Sequence, residues 1–153
     1  MNYKECEICG SKIEQKYSMC KDCTNSKWFP VSLRIKNSFY EKKCLKKEIY
    51  LDVPEKTAKL FTQGNMGMNK LRSFFCMLRN AYDSLNLDEN QTFECIKPHL
   101  WSIQRTVEDR TRRGVTPESF KQFINHNIEI ALKGKDELYG FMELFRSVIA
   151  YSK

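Results

Sequence analysis

A chain of 153 residues with 41% hydrophobic and 29% charged side chains has room for one core, or for one core with a small appendage, and excludes two large domains. Its 26 Lys+Arg exceed its 19 Asp+Glu for a formal net charge of +7. No apolar run approaches the roughly 18 to 20 residues that cross a bilayer, and Met1 to Cys6 holds no apolar signal core, so the expectation is a soluble protein kept in the cytoplasm with no membrane partner.

Four of the seven cysteines fall in the first 23 residues as two CxxC pairs, Cys6 with Cys9 and Cys20 with Cys23. One CxxC turn brings two thiolates to a metal, and two such turns complete a tetrahedral four-sulfur zinc site. Gly10 supplies the positive φ that such a turn often needs, and Lys4, Lys12, Lys16 and Lys21 offset thiolate charge. Two disulfides, free thiols and an iron–sulfur cluster are the competing readings. Structural zinc is the expectation, because this segment has few apolar side chains and needs a staple to fold. Cys44, Cys76 and Cys95 are expected in or near the core as small hydrophobes.

From residue 25 to about 56 the chain carries Trp28, Phe29, Phe39, Tyr40 and a lysine cluster between Lys42 and Lys47. Val31 to Lys36 alternates, which suggests a short strand or extended linker, and Ser38 to Tyr50 fits a helix with Phe39, Leu45 and Ile49 inward. The lysines read first as a solvated face, with contact to a nucleic-acid backbone as the minority reading.

After Pro54 the pattern is helical. A short segment from Glu55 to Phe61 is closed by Gly64 and Gly67. Leu71, Phe74, Phe75, Leu78, Tyr82 and Leu85 then stripe one face of a helix from about Asn69 to Leu85. Asp88 and Gln91 are spaced as a capping box for a helix with Phe93, Ile96, Leu100, Ile103 and Val107 inward, which Pro98 is expected to kink or break. Gly114 ends it. Thr116 and Pro117 open the next helix, striped by Phe120, Phe123, Ile124, Ile128 and Ala131, and Gly134 closes that one. Asp136 caps the last helix, on which Leu138, Phe141, Met142, Phe145, Val148 and Ile149 face inward. The stripes need no cofactor to explain them, and Tyr82 and Trp101 are read as packing residues.

The fold class is therefore all-α: a small helical bundle of about five helices preceded by a short four-cysteine zinc ribbon or knuckle module. The division places the module at residues 1–27, a linker with a basic segment at 28–56 and the bundle at 57–153. No phosphate loop, dinucleotide turn, zinc-protease pair or nucleophile elbow occurs, and His99 and His126 are isolated, so the chain is not expected to be an enzyme. Its distinctive feature is the placement of cations. Arg72 and Arg79 are seven apart and share a helix face with Lys70 on the other border of the stripe, and Arg105, Arg110, Arg112, Arg113 and Lys121 gather around Gly114. Such arginine groups suit phosphate, although Glu108, Asp109 and Glu118 are available to pair with them.

The stretch Met68-Asn-Lys-Leu-Arg-Ser-Phe-Phe, the stretch Ile96-Lys-Pro-His-Leu-Trp with Arg105 following, Phe120-Lys-Gln-Phe-Ile with Ile128, and the ending from Phe141 through Ile149-Ala-Tyr-Ser-Lys153 together resemble one family. It is the small helical subunit of type III-A CRISPR effector complexes, the Csm complexes of antiviral defence. The resemblance implies a subunit without catalytic activity that stacks in copies along the effector filament beside other Csm subunits and contacts guide RNA and target RNA. It implies RNA contact by Lys70, Arg72 and Arg79, and extends less directly to Arg105 and Lys121. It does not cover the cysteine pairs. A zinc-ribbon adaptor or transcription regulator that binds protein or DNA is the alternative.

Overall fold

The computed structural model describes residues 2–152; Met1 of the cysteine module and Lys153 of the closing motif lie outside the described residues. Strands β1 (Tyr3–Glu5) and β2 (Lys12–Glu14) pair antiparallel with Lys4 opposite Ile13, and the one-turn helix α1 (Lys21–Thr24) follows. A second hairpin, β3 (Tyr40–Glu41) with β4 (Cys44–Leu45), lies between 3-10 turns at Val31–Leu33 and Lys47–Ile49. Five longer helices complete the chain: α2 (Asp52–Gln63), α3 (Met68–Leu87), α4 (Phe93–Arg112), α5 (Glu118–Ala131) and α6 (Lys135–Tyr151). The expected all-α bundle is what forms, and among the described residues no helix is long and apolar enough to cross a membrane.

The spacing of apolar residues decides which helix faces meet. Leu71, Phe74, Leu78 and Ala81 of α3 are buried, as are Ile96, Leu100, Ile103 and Val107 of α4, each set at three- and four-residue intervals. Helix α6 packs on α2, α3 and α5, and α4 joins α3 to α5. Phenylalanine dominates the interior. Phe123 meets Phe61 at 5.2 Å, Phe145 at 5.7 Å and Phe141 at 5.8 Å, all edge to face, the arrangement that ring quadrupoles favour.

Residues 28–56 lie against these helices: Phe29, Leu33, Ile35, Phe39, Ile49 and Val53 are buried. The helix anticipated from Ser38 to Tyr50 is instead the β3–β4 hairpin and a 3-10 turn, yet Phe39 and Ile49 do point inward. What fixes the hairpin is tertiary. The Glu137 carboxylate on α6 accepts from the Ser38 hydroxyl and from the Phe39 N–H, and Phe39 stacks on Phe141 with centroids 6.2 Å apart. His126, isolated in the sequence, lies 2.7 Å by Nε2 from the Ile35 carbonyl.

Other local expectations are corrected. Asp88 does not open α4; its Oδ1 accepts from Asn90 N–H at 2.9 Å in the connecting turn, and Thr92 precedes the helix. Helix α4 continues through Pro98 without a break. The proline removes the bond to the carbonyl of Glu94, which lies in the exposed first turn, where water can serve that oxygen. Cys44, Cys76 and Cys95 are exposed rather than core residues, and Trp101 is 52% exposed on the outer face of α4, opposite the buried stripe.

Candidate functional site

The four paired cysteines come together at the end of the β1–β2 hairpin. Cys6 N–H donates to Ser11 O at 2.8 Å and Gly10 N–H to Cys6 O at 3.0 Å, which closes a tight turn with Gly10 at φ +78°. Cys20 precedes α1 and its Sγ accepts from Cys23 N–H at 3.4 Å, while Cys6 Sγ accepts from Ile8 N–H at 3.4 Å. The four sulfurs all lie within 4.8 Å of one another, with Cys9 and Cys20 at 3.5 Å. Sulfurs at about 2.3 Å from a tetrahedral metal are about 3.8 Å apart, so this spacing suits a common ion and is too wide for a disulfide. The four cysteines could hold a metal ion, and the cluster is compatible with a zinc knuckle. Burial raises the Cys6 thiol, but amide hydrogen bonds from Cys9, Cys20 and Ile8 outweigh it and bring it to about 7. Burial pushes the Cys20 and Cys23 thiols up.

The module is seated on the bundle through short polar contacts. Ser26 is buried, donates to the Leu60 carbonyl at 3.1 Å, meets the Ser119 hydroxyl, and accepts from Ser119 N–H at 3.0 Å. Gly64 gives Ser26 its room: a Cβ there would lie 2.6 Å from Ser26 Cβ. Lys59 of α2 pairs with Glu7 inside the first CxxC turn.

The cations singled out in the sequence divide into two kinds. Arg72 and Arg79 are exposed along one face of α3 with Cys76 between them, and Arg105 is exposed on α4 one turn after Trp101. None of these three arginines forms an ion pair among the described residues. Lys70 is half-buried and donates to the Val115 carbonyl at 2.8 Å. At the α4–α5 turn the cations are compensated. Arg112 lies 3.5 Å from Glu108, Arg113 3.0 Å from Asp109, and Lys121 lies 2.9 Å from Glu118 and 3.3 Å from Glu108. Hydrogen bonding to Glu118 raises the Lys121 pKa above the ordinary lysine value. Arg110 lies over the Phe74 ring at 5.0 Å. The packing reading of Trp101 is overturned, and the helical period explains why: at about 100° per residue the position after Leu100 turns away from Ile96, Ile103 and Val107.

Fold and site together define a small helical-bundle subunit that carries a four-thiol module at one end and unpaired arginines on its outer faces. Residues 45–153 match the Csm2 Type III-A family, and the chain belongs to that family. It is thus a small subunit of a type III-A CRISPR Csm complex, with other Csm subunits as its partners. The match begins after all four paired cysteines. No curated relative and no solved structure matches the chain.

Proposed function

We propose that the chain is a non-catalytic RNA-binding assembly subunit: its basic helix faces neutralise phosphates of the guide RNA–target RNA duplex without reading sequence, and copies stack along the effector filament. The observation that carries this reading is the pair Arg72 and Arg79, exposed and unpaired on one face of a helix that lies within the family match. Lys70 reaches phosphate from the border of that face by releasing the Val115 carbonyl, and Arg105 adds a cation on α4. Lys121 contributes after exchanging its carboxylate partners. Recognition through backbone charge suits A-form RNA, whose deep major groove hides its bases from side chains.

Zinc is the metal that suits residues 1–27. Among the described residues only the four thiols group as ligands, with no carboxylate or imidazole joining them; such a set makes a closed site, and the ion there would fold the module rather than activate water. Replacing Lys70, Arg72 and Arg79 together with alanine is expected to weaken duplex RNA binding strongly and to flatten its dependence on salt. Unchanged affinity and slope would remove α3 as the contact face. The alternative, a zinc-ribbon adaptor or regulator, predicts an isolated protein that shifts duplex DNA in preference to RNA.

A further inference from the structure

The lysine cluster ahead of α2 is not absorbed by the α3 face, and its backbone is unusual. Lys42 and Lys43 form the two-residue loop between the paired residues Glu41 and Cys44, with φ of +52° and +69°. Positive φ at both loop positions is the backbone of a type I′ turn, which strongly prefers Asn-Gly because a Cβ is strained there. Elsewhere the chain fills left-handed positions with Gly10, Gly114, Asn37 and Asn65, or with the hydrogen-bonded Ser26. Only at this hairpin tip do two consecutive long, charged side chains take that conformation among the described residues. Lysine offers no local hydrogen bond to favour it, so its presence answers to something outside the turn.

The charge around the tip is concentrated. Residues 36–48 hold five lysines against two glutamates. Lys36, Lys42, Lys43 and Lys47 are exposed, and none of them forms an ion pair among the described residues. Lys46 donates to the Lys36 carbonyl at 3.1 Å and so ties the two ends of the segment together. The acidic groups nearby are Glu41 and Glu48 on the segment and Asp136 and Glu137 on α6, and Glu137 is already occupied by Ser38 and Phe39. An open cleft of about 580 Å³ is lined by Lys36, Lys46 and Lys47 together with Glu41 and Glu48. The hairpin is packed closely on α6, because Phe39 is fully buried and its Cβ leaves no room for a side chain at Gly140.

We propose that the β3–β4 hairpin is a second phosphate-binding element, in which Lys42 and Lys43 at the tip, supported by Lys36 and Lys47, contact an RNA backbone at a point separate from α3. The inference rests on the RNA-binding reading above. It adds a contact whose tip, Lys42 and Lys43, precedes the family match, while Lys47 lies within it. The ligand chemistry is sequence-independent, since an ammonium on a flexible stem meets a phosphate as a point charge.

The test uses the full zinc-loaded chain, a blunt RNA duplex as probe, and titrations from about 50 to about 200 mM salt. K42N/K43G gives the turn its preferred residues while removing both charges, and it is expected to keep or raise Tm, to weaken binding about tenfold at low salt and to lower the log–log salt slope by about 1.5. K42Q/K43Q, which keeps the backbone demand and removes the charge, is expected to lose the same affinity, and K42R/K43R to retain it. If wild-type protein binds the duplex and K42N/K43G binds it equally with the same slope, the hairpin proposal is overturned and the α3 reading stands. If wild-type protein binds no RNA, both fall together.

Discussion

Gly140 sits inside α6, where replacing glycine by alanine ordinarily stabilises a helix by about 1 kcal/mol. The structure reverses that sign. A Cβ at this position would lie 2.5 Å from Phe39 Cβ and 2.8 Å from its Cγ, distances that real Cβ atoms do not show. Phe39 has no easy retreat, because it is fully buried, stacked on Phe141, and held at its N–H by Glu137. Overpacking of this kind costs about 1–3 kcal/mol, and the upper part of that range applies because the opposing atoms adjoin the backbone. Against the gain in helix propensity, Gly140→Ala should therefore lose about 1–2 kcal/mol. In a domain of this size each kcal/mol moves Tm by about 2–4 °C, so calorimetry should show a drop of about 4 °C. Hydrogen exchange should locate the damage, with faster exchange at Phe39 and Lys46, whose amides bond to Glu137 and to the Phe39 carbonyl. A raised Tm with unchanged exchange in the hairpin would show that propensity decides and that Phe39 is not seated against α6 as described.

The remaining consequences concern the core and the metal. Phe123→Ala removes the ring that meets Phe29, Phe61, Phe120, Phe141 and Phe145, and should cost about 3–5 kcal/mol in chemical denaturation; a loss below about 1 kcal/mol would mean that the cluster collapses to fill the gap. X-ray absorption on the purified chain should show one zinc with four sulfurs at about 2.3 Å, and Cys23→Ser should abolish stoichiometric metal. Chelation should open residues 1–27 to proteolysis while the far-ultraviolet signal of α2 to α6 persists, because the phenylalanine interior of the bundle does not depend on the module's sulfurs.

Much of the bundle was legible because its elements obey one period. The stripes on α3, α4, α5 and α6 repeat every three or four residues, and glycines at 114 and 134 mark helix junctions where the chain has to turn. The cysteine cluster was legible for a chemical reason, since two CxxC turns ask for one ion whatever surrounds them. The β3–β4 hairpin was not, because its turn lacks the Asn-Gly signature and its position is set by Glu137 and Phe141, about a hundred residues away in sequence. The exposed Cys44, Cys76 and Cys95 were misplaced because cysteine's average preference for the interior says nothing about a given helix face. Cys76 falls on the same outer face as Arg72 and Arg79, and the period of α3 places it there.

Net charge does not single out the proposed RNA face on this molecule, since residues 57–153 hold 14 Lys+Arg against 11 Asp+Glu. Pairing is more informative. At the α4–α5 turn, Arg112, Arg113 and Lys121 are tied to Glu108, Asp109 and Glu118, so a phosphate approaching there must displace carboxylates that then face it. Arg72 and Arg79 on α3, and Lys42 and Lys43 of the hairpin, form no ion pair among the described residues, so a phosphate would displace no carboxylate there. Exposed ion pairs are worth less than about 1 kcal/mol each, so breaking them is feasible, but the released carboxylates repel the strand. Glu108→Gln with Asp109→Asn should therefore strengthen RNA binding severalfold by freeing Arg112 and Arg113 and leaving Lys121 with Glu118 alone, with little change in Tm. Arg112→Gln with Arg113→Gln should leave affinity within about twofold, whereas the α3 substitutions should not. If the arginine pair at 112 and 113 proved as damaging as Arg72 and Arg79, the compensated turn would be a primary contact, and pairing would not be the property that marks the RNA face.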